Sequence, residues 1–433
     1  MSLADHGLPL TKLSNTLAAP VLKELLIYYG YPISYKGLND TTLVAADIST
    51  NYKYWIVGDS YSSTSHPEYA TTLTIVASVR TAGTKVFGYV PIGQSTQGLS
   101  VATIKSRIDE WIVVGVDGIF LDEFGFDYGN TRAKQIEIVD YVHSKGLPIC
   151  ANSWVAEDFL VDDVSLLPWG SGDWRYTNFT TYNPSNLPLV RSSKDFLLME
   201  NFCFDHNGPM NVFDVQERAT LTTALAKSNN VGLWAVAVLG ETTPGTVNPA
   251  KLGNFDTLTE VSGYVAANAF IYGISIVGIG GFSFGSNGYP ITAALPKLPS
   301  AATAATTTAS SDYVTGIATR QFGNVVVSVR NMNGQATTVT TATSGSLTFD
   351  NMTKTADLLI SPKKYETATV IFVDASIRSG MLINATLTPN KEHDMDDLTD
   401  VRVIARAVDG GVEFTLCTTG LLVGTYKVLY NKG

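Results

Sequence analysis

The chain has 433 residues, of which 45% are hydrophobic and only 16% are charged, and its formal net charge is −10. This length predicts a barrel of roughly 250 residues followed by a second module. The acidic balance and the absence of a Lys/Arg cluster argue against a nucleic-acid partner, because such binding depends on clustered cations. No apolar stretch reaches the ~20 residues of a membrane helix, so we expect no membrane insertion. A low-charge sequence rich in Gly, Thr and Ser predicts an extracellular or virion-associated protein.

Eight short apolar runs alternate with segments of helical spacing over residues 24–285. The predicted strands are residues 25–30, 54–59, 85–91, 118–124, 147–152, 196–201, 232–241 and 274–280. The predicted helices are residues 67–80, 103–114, 131–143, 215–227 and 258–272, while 41–48 fits either a helix or a strand. This alternation predicts an α/β fold in which a parallel sheet closes into a (βα)8 TIM barrel. An open doubly wound sheet is the alternative, but no GxGxxG follows the first strand and no glycine run has P-loop spacing.

Three further regions complete the predicted domain organisation. Residues 1–20 have no period and are predicted to be an N-terminal arm, the barrel domain spans 21–292, and 293–311 is rich in Ala, Thr, Pro and Ser, which predicts a linker. Residues 312–433 alternate with a period of two, which predicts one or two antiparallel β-sandwiches. Inside the barrel, the long segment 155–193 lacks a period and is crowded with aromatics, which either stack on sugar rings or close a small core under the loop.

Polar side chains follow several of the predicted barrel strands. In a barrel enzyme the carboxyl ends of the strands meet at one mouth, and cleavage of a glycosidic bond needs two carboxyl groups there. The polar residues at the strand ends are Asp59, Asp122, Glu123, Asn152, Glu200 and Glu241. Asp122 and Glu123 are neighbours on one predicted strand and point to opposite faces, so only one of them can face the mouth. A structural ion pair is the alternative role for Asp59 and Glu241, and Asp117 is expected at the opposite end of its strand.

No competing chemistry is predicted. Cys150, Cys203 and Cys417 are too few and too far apart for a disulfide framework, and the five histidines are scattered along the chain. We therefore expect neither a metal site nor a cofactor.

Residues 85–154 carry a family resemblance. The Gly88-Tyr89-Val90 strand, Ile108 and Trp111 on the next helix, the run 116–123 and the Ala151-Asn152 strand end resemble the spherulin-4-type family, which is grouped with the endo-α-1,4-polygalactosaminidases. The resemblance implies a (βα)8-barrel glycoside hydrolase. It places the family's strand-four aspartate on Asp122, its strand-five asparagine on Asn152 and its strand-six glutamate on Glu200. Ser153-Trp154 stands where the family usually has Pro-Gly, which is a departure in that subsite. Residues 376–430 are also similar to C-terminal modules of phage tail and adsorption proteins.

Two functions follow as hypotheses. The first is a retaining, endo-acting glycoside hydrolase on an amino-sugar-containing surface or capsular polysaccharide, with a phage-borne depolymerase as one form of it. Asp122 is its expected nucleophile and Glu200 its acid/base. The expected substrate-binding residues are Asn152, Glu123, Tyr28, Tyr89, Trp154, Asp59 and Glu241. The second hypothesis is a non-catalytic carbohydrate-binding or structural tail protein. Both allow other virion proteins as partners and a homo-oligomer formed through the C-terminal module.

Overall fold

A computed structural model describes residues 21–58, 60–210, 212–253 and 255–297, and beyond these the strands β13 to β23. The helices are α1 Thr41–Asn51, α2 Tyr69–Thr81, α3 Val101–Val114, α4 Arg132–Ser144, α5 Glu157–Leu160, α6 Trp174–Tyr182, α7 Val212–Ser228 and α8 Leu258–Tyr272. The strands up to residue 281 are β1 Lys23–Tyr28, β2 Tyr54–Val57, β3 Lys85–Pro91, β4 Gly118–Asp122, β5 Ile149–Asn152, β6 Phe196–Met199, β7 Phe204–Asp205, β8 Gly208–Pro209, β9 Gly232–Leu239, β10 Glu241–Thr243, β11 Thr246–Val247 and β12 Ile276–Gly281.

Eight of these strands form a closed parallel barrel in the order β1-β2-β3-β4-β5-β6-β9-β12, with β12 pairing back to β1. The predicted (βα)8 barrel is therefore confirmed. Residues 41–48, which fit either a helix or a strand, lie in helix α1, where Asp40 caps the first turn by accepting from two backbone N–H groups. Segment 155–193 is not irregular throughout, because it contains the short helices α5 and α6.

The inward-facing side chains near the start of the barrel strands are aromatic. Trp234 of β9 lies 4.8 Å from the ring centres of Phe87 and Phe196 and 5.0 Å from Tyr54. Trp234 meets Phe87 edge-to-face and the other two rings at a tilt, and such contacts fill the narrow interior of an eight-stranded barrel. We call these four residues the aromatic floor, and it closes the barrel on the side opposite to the mouth.

Alternate residues of the same strands face outward and pack against the helices. Helix α3 buries Ile104, Ile108 and Trp111 completely, as its spacing predicts. A Cβ on Gly88 would collide with the Trp111 ring, so only glycine lets helix and strand approach this closely. The Trp111 indole N–H also donates to the Tyr89 carbonyl at 2.9 Å, which fixes α3 on β3.

The N-terminal ends of the strands hold two buried or partly buried carboxylates with cationic partners. Asp117, just before β4, accepts from Arg80 at 2.9 Å, from Lys85 at 3.2 Å and from the Val86 backbone N–H at 3.1 Å. Asp117 therefore lies at the start of β4, at the end of the barrel opposite to the mouth, as expected from the sequence.

Asp195, just before β6, is fully buried and accepts from the Ile149 and Ser192 backbone N–H groups at 3.0 and 2.6 Å. It also pairs with His143 of α4 at 3.0 Å. His143 is thus partly buried and joins α4 to the start of β5 and β6.

The contacts divide the chain into two compact units. Leu22–Lys251 and Ile274–Leu295 form the first, and Leu252–Gly273 belongs to the second together with the described residues from Pro296 onward. In the second unit, helix α8 packs on the sheet that contains β15 to β17, where Arg320 donates to the Ile271 carbonyl at 3.0 Å. The predicted domain boundaries stay predictions.

The described C-terminal strands are β13 Ala302–Ala305, β14 Ser310–Asp312, β15 Ile317–Gly323, β16 Val325–Met332, β17 Gln335–Thr341, β18 Thr353–Leu359, β19 Thr367–Val373, β20 Ile383–Thr388, β21 Val401–Val408, β22 Gly411–Thr418 and β23 Thr425–Lys432. They form antiparallel sheets ordered β13-β15-β16-β17, β18-β23-β20 and β19-β22-β21, with β14 also on β15. β13 lies within the segment 293–311 and β14 begins in it, and the linker predicted there stays a prediction. The β-sandwich stays a prediction, and the N-terminal arm lies outside the described residues.

Across the described residues, no helix has both the length and the apolar character needed to cross a bilayer.

Candidate active site

Three polar side chains meet at the carboxyl ends of neighbouring strands. Asp122 ends β4, Asn152 ends β5 and Glu200 directly follows β6. Strand periodicity explains their direction, because Asp122 shares a face with the inward-pointing Phe120, and Asn152 with Cys150. The mouth of the barrel thus carries two carboxyl groups with a carboxamide between them.

The carboxamide of Asn152 connects the two acids. Its Nδ2 donates to Asp122 Oδ1 at 2.8 Å and to Glu200 Oε2 at 2.9 Å. An amide nitrogen carries two hydrogens, so these bonds use both of them and leave only the Asn152 oxygen for a ligand. Since both carboxyl oxygens lie within 2.9 Å of one nitrogen, they are less than about 6 Å apart.

Asp122 receives further hydrogen bonds. The Tyr89 hydroxyl donates to Oδ2 at 2.8 Å, and the Glu123 backbone N–H donates to Oδ1 at 2.9 Å. Burial raises the pKa of Asp122, while the donors Asn152, Tyr89 and the backbone of residue 123 act in the opposite direction. The group therefore titrates above an ordinary aspartate although three donors favour its charged form.

Glu200 has fewer stabilising partners than Asp122. Burial raises its pKa, the negative charge of Asp122 raises it further, and only the Asn152 bond and the Arg218 charge oppose the shift. Burial and the neighbouring negative charge thus both favour the protonated form of Glu200.

Glu123 points elsewhere. Strand β4 ends at Asp122, and Glu123 adopts a left-handed backbone with φ of 56°, so the alternation of a strand does not apply to it. Its carboxylate accepts from the Thr96 hydroxyl in the loop after β3. Asp122, and not Glu123, is therefore the acid that meets Asn152 and Glu200. Asn201 repeats the pattern after Glu200, with φ of 55°. Such backbone strain is found where a site over-determines the local conformation.

The tyrosines differ in their placement. Tyr89 lies in the mouth, with its ring 5.2 Å from that of Tyr29. Tyr28 is fully buried in the outer layer, where its hydroxyl donates to the Tyr31 carbonyl at 2.9 Å. A side chain with no exposed surface cannot contact a sugar, so Tyr28 is wrong as a binding residue and Tyr29 takes the inward position.

Glu241 is held by the loop after β12. Its carboxylate accepts from the Ser283 backbone at 2.7 Å, the Ser283 hydroxyl at 3.0 Å and the Gly245 backbone at 2.6 Å. These bonds join two loops, which supports the structural alternative for Glu241. Asp59 lies outside the described residues.

Trp154 lies beside the site and is 43% exposed. The Arg218 guanidinium of α7 stacks over its ring at 4.2 Å and donates to the Glu200 carbonyl oxygen at 2.7 Å. The sequence does not single out Arg218, because the pattern of a helix does not show which of its residues reaches a neighbouring strand end. The one signal in the sequence is that α7 is the next long helix after β6 and Glu200.

Loops at the mouth also carry exposed aromatic surface. Tyr31 follows β1, Trp154 and Trp174 follow β5, and Phe282 and Tyr289 follow β12, and each of them is between 43% and 62% exposed. Single exposed aromatic rings are ordinary on a protein surface. A group of them at one end of a barrel is typical of a surface that binds a ligand.

No group of three or more His, Cys, Asp or Glu side chains with metal-binding geometry occurs among the described residues. Cys150 and Cys203 are buried free thiols, whose pKa burial raises.

Comparison with known proteins adds little at these similarities. No protein-family model matches the chain, and no curated protein matches it in sequence. The solved glycoside hydrolase domain of PelA from Pseudomonas aeruginosa aligns at 12% identity and a TM-score of 0.38, covering 63% of this chain and 98% of that domain.

Two other solved structures align over a similar share of the chain. The 4-hydroxy-tetrahydrodipicolinate synthase of Methylacidiphilum fumariolicum SolV has 12% identity, a TM-score of 0.31 and coverages of 61% and 69%. The carboxyl transferase domain of Rhizobium etli pyruvate carboxylase has 11% identity, a TM-score of 0.34 and coverages of 61% and 40%. At TM-scores this low the alignments carry no argument, and the barrel rests on the strand order described above.

Proposed function

We propose that this protein is a glycoside hydrolase that cleaves an amino-sugar-containing polysaccharide, with Asp122 as nucleophile and Glu200 as general acid/base. The observation that carries the proposal is the pair of carboxyl groups joined by Asn152 at the barrel mouth. Most glycoside hydrolases use two carboxyl groups that flank the scissile bond.

The spacing of the pair supports a retaining mechanism. In retaining enzymes the carboxyl groups are about 5–5.5 Å apart, whereas inverting enzymes leave about 6.5–9.5 Å for a water molecule. The limit of less than about 6 Å on the Asp122 and Glu200 oxygens fits the first class.

The protonation states required by that mechanism agree with the environment of each acid. Asp122 attacks the anomeric carbon as a carboxylate, which its three donors stabilise. Glu200 donates a proton to the leaving oxygen, and burial beside the charge of Asp122 raises its pKa in the direction that this role requires. In the second step Glu200 takes a proton from water, which then releases the sugar from Asp122.

The substrate class is part of the proposal. The exposed aromatics around the mouth support a ligand with several apolar ring faces, which suits a polysaccharide. The amino-sugar component comes from the family resemblance of residues 85–154. An extracellular or virion-associated location, and attachment to other virion proteins through the C-terminal strands, belong to the same proposal.

The proposal is tested by hydrolysis of deacetylated and acetylated galactosamine polymers, with reducing ends as the readout. The wild-type protein should release oligosaccharides, and Glu200→Gln should release none above background. Glu137→Gln, an equal change on the exposed side of α4, is the matched control and should keep the wild-type rate. Binding of the polymers without release of product would support the carbohydrate-binding alternative, and equal rates for wild type and Glu200→Gln would remove Glu200 from the mechanism.

A further inference from the structure

The main chain of Glu200 lies just beyond the barrel sheet. The last residue of β6 that pairs with β9 is Met199, and the last that pairs with β5 is Leu198. Asn201 then adopts a left-handed backbone with φ of 55°, a conformation that needs support from its surroundings. Strand pairing therefore does not by itself fix the position of Glu200, and other elements have to hold it.

Arg218 of α7 provides part of that support. Its guanidinium donates to the Glu200 carbonyl oxygen at 2.7 Å and lies 4.2 Å from the ring centre of Trp154. The N–H groups of a guanidinium lie in its plane, so it can bond sideways to a carbonyl while its face stacks on an indole. Helix α7 and the loop after β5 are thus joined at the strand end that carries Glu200.

The end of β5 reaches Glu200 by two routes. Asn152 donates to the carboxyl group of Glu200, and Trp154, two residues later, stacks on the arginine that binds the Glu200 carbonyl oxygen. Ser153-Trp154 is the place where the sequence departs from the Pro-Gly pair of the family that it resembles. A glycine has no ring to stack on a guanidinium, so the stack of Trp154 on Arg218 belongs to this chain and does not follow from the resemblance.

Arg218 also brings a positive charge to one of the two acids. Burial and the negative charge of Asp122 raise the pKa of Glu200, while the Asn152 bond and the charge of Arg218 act in the opposite direction. The groups that oppose the burial of Asp122 are uncharged donors. The two acids therefore differ in that the cation acts on Glu200.

The groups around Arg218 and Glu200 leave that positive charge in place near neutral pH. Burial lowers the pKa of Arg218 to about 10, and the negative charges of Glu200, Asp214 and Glu157 oppose this effect. Tyr128, in the loop after β4, is close enough to be affected by the charge of Glu200, and burial raises its pKa to about 12. Arg218 thus stays charged and Tyr128 stays neutral while the two acids titrate.

We propose that Arg218 is a positioning residue for the acid/base: it holds the main chain of Glu200 and stabilises the negative charge that Glu200 acquires when it donates its proton. Trp154 keeps the guanidinium in the place from which it acts. The inference rests on the proposed function and adds the residue that adjusts the strength of its acid/base.

The first step of the reaction moves a negative charge toward Arg218. Before the step Asp122 is a carboxylate and Glu200 carries the proton. The proton passes to the leaving oxygen, the bond from that oxygen to the anomeric carbon breaks, and an Asp122 oxygen bonds to that carbon. Asp122 is then a neutral ester and Glu200 a carboxylate. A cation beside Glu200 stabilises the charge distribution after this step more than the one before it, and so lowers the barrier.

The first measurement needs no turnover. The full chain is labelled with carbon-13 at its glutamate carboxyl groups and titrated by NMR, and Glu200→Gln identifies the Glu200 signal. Arg218→Met removes the charge and keeps an unbranched side chain against Trp154, so the higher apparent pKa of the coupled acids should rise by roughly half a unit or more. Arg218→Lys keeps the charge, and its titration should stay close to that of the wild type.

Two further variants make the result specific. Arg175→Met is the matched control, because Arg175 also stacks on a tryptophan, Trp169 at 3.9 Å, but donates to Asp173 instead of Glu200. It should leave the Glu200 titration unchanged. Trp154→Ala changes a side chain that is 43% exposed and should move the titration in the same direction as Arg218→Met, by a smaller amount. An equal shift in Arg175→Met, or no shift in Trp154→Ala, would contradict the roles assigned to Arg218 and Trp154.

The second measurement is the pH–rate profile on a deacetylated galactosamine polymer. Arg218→Met should lower kcat/KM by about 10- to 100-fold and move the basic limb to higher pH, and Arg218→Lys should recover most of the rate with the limb in place. A Glu200 that is only displaced would lose rate without movement of the basic limb. Urea unfolding of each variant shows whether the fold is kept, and if Arg218→Met does not fold, Trp154→Ala and Arg218→Lys still decide the result.

The two measurements separate this inference from the proposed function. A Glu200 titration and a basic limb that both stay in place in folded Arg218→Met would overturn the role of Arg218, although the wild-type protein hydrolyses the polymer. A titration that shifts as expected in a protein that releases no sugar would keep the link between Arg218 and Glu200 and reject the proposed function.

Discussion

Two aspartates at opposite ends of strand β4 have opposite surroundings. Asp117, at the N-terminal end, binds Arg80 and Lys85, and although burial raises its pKa, these bonds and that from the Val86 N–H bring it below the ordinary value. Asp122, at the mouth, has only uncharged donors, and burial raises its pKa. Asp117 with its cations is thus held in the charged form and serves stability, whereas Asp122 without them is available for chemistry. Strand ends alone do not distinguish the two roles, but their partners do.

The largest expected effect is on catalysis. Asp122→Asn should lower kcat/KM by at least about 10³-fold, because an amide cannot act as the nucleophile, while the free energy of unfolding changes by less than about 1 kcal/mol. Asp117→Asn, the same substitution at the other end of the strand, should leave kcat/KM within about three-fold of wild type. Steady-state kinetics and urea unfolding of both variants provide the comparison. An Asp117→Asn protein that is stable but inactive would show that the two ends do not divide the roles in this way.

The second effect is on stability. Asp117→Asn removes a charged partner from Arg80 and Lys85, and we expect it to lower the free energy of unfolding by about 1–3 kcal/mol near neutral pH. Because the folded pKa of Asp117 is lowered, its contribution is present above the unfolded value of about 3.9 and is lost as the pH falls through the folded pKa. The difference between wild type and variant should accordingly shrink in acid. A difference that stays constant down to strongly acidic pH would mean that the carboxylate charge is not its source.

The third effect is a change in the pH–rate profile. Tyr89→Phe removes a donor from Asp122 alone, so the pKa of Asp122 should rise and the acid limb of kcat/KM should move to higher pH by up to about one unit. Asn152→Ala removes a donor from both Asp122 and Glu200, so both limbs should move to higher pH. Because the two acids interact, each limb reports the pair, and the test is whether the limbs move. An acid limb that stays in place in Tyr89→Phe, or no movement of either limb in Asn152→Ala, would contradict the hydrogen-bond network.

The smallest effect concerns the floor end of the barrel. The hydrogen bond to Asp195 raises the pKa of His143, so this pair contributes stability that is fully present below the unfolded value of about 6.5 and is lost as the pH rises through the folded pKa. The contribution should be no more than about 1 kcal/mol, since the histidine is partly exposed. Denaturant unfolding of wild type and His143→Gln at several pH values measures it, and the step should be absent from the variant. Activity should keep its wild-type pH dependence in His143→Gln.

Much of the barrel was predictable because its strands are apolar runs bounded by turn residues and its helices have a clear period. Asp122, Asn152 and Glu200 were predictable as strand-end residues for the same reason. The sequence did not predict which residues of β1 face into the barrel, because Leu25 to Tyr29 are all apolar or aromatic and do not alternate with polar residues. Barrel closure decides which of Tyr28 and Tyr29 faces inward, and this is a property of the whole sheet.

Other parts of the site depend on contacts between distant segments. Glu241 looks like Glu200 in sequence, but Ser283 and Gly245 bind its carboxylate. The direction of Glu123 follows from a positive φ that no local residue preference required, because glutamate rarely adopts it.

The shared carboxamide nitrogen of Asn152 makes the site observable by spectroscopy. Each of its two hydrogens is donated to a different acid, one to Asp122 and the other to Glu200. The two proton resonances of this one side-chain amide should therefore respond to different ionisations when the protein is titrated in an NMR spectrometer. Kinetic profiles report two interacting acids only as a pair. With nitrogen-15 labelling of Asn152, the two amide proton resonances report the ionisation of Asp122 and of Glu200 separately, and so show which acid holds the proton.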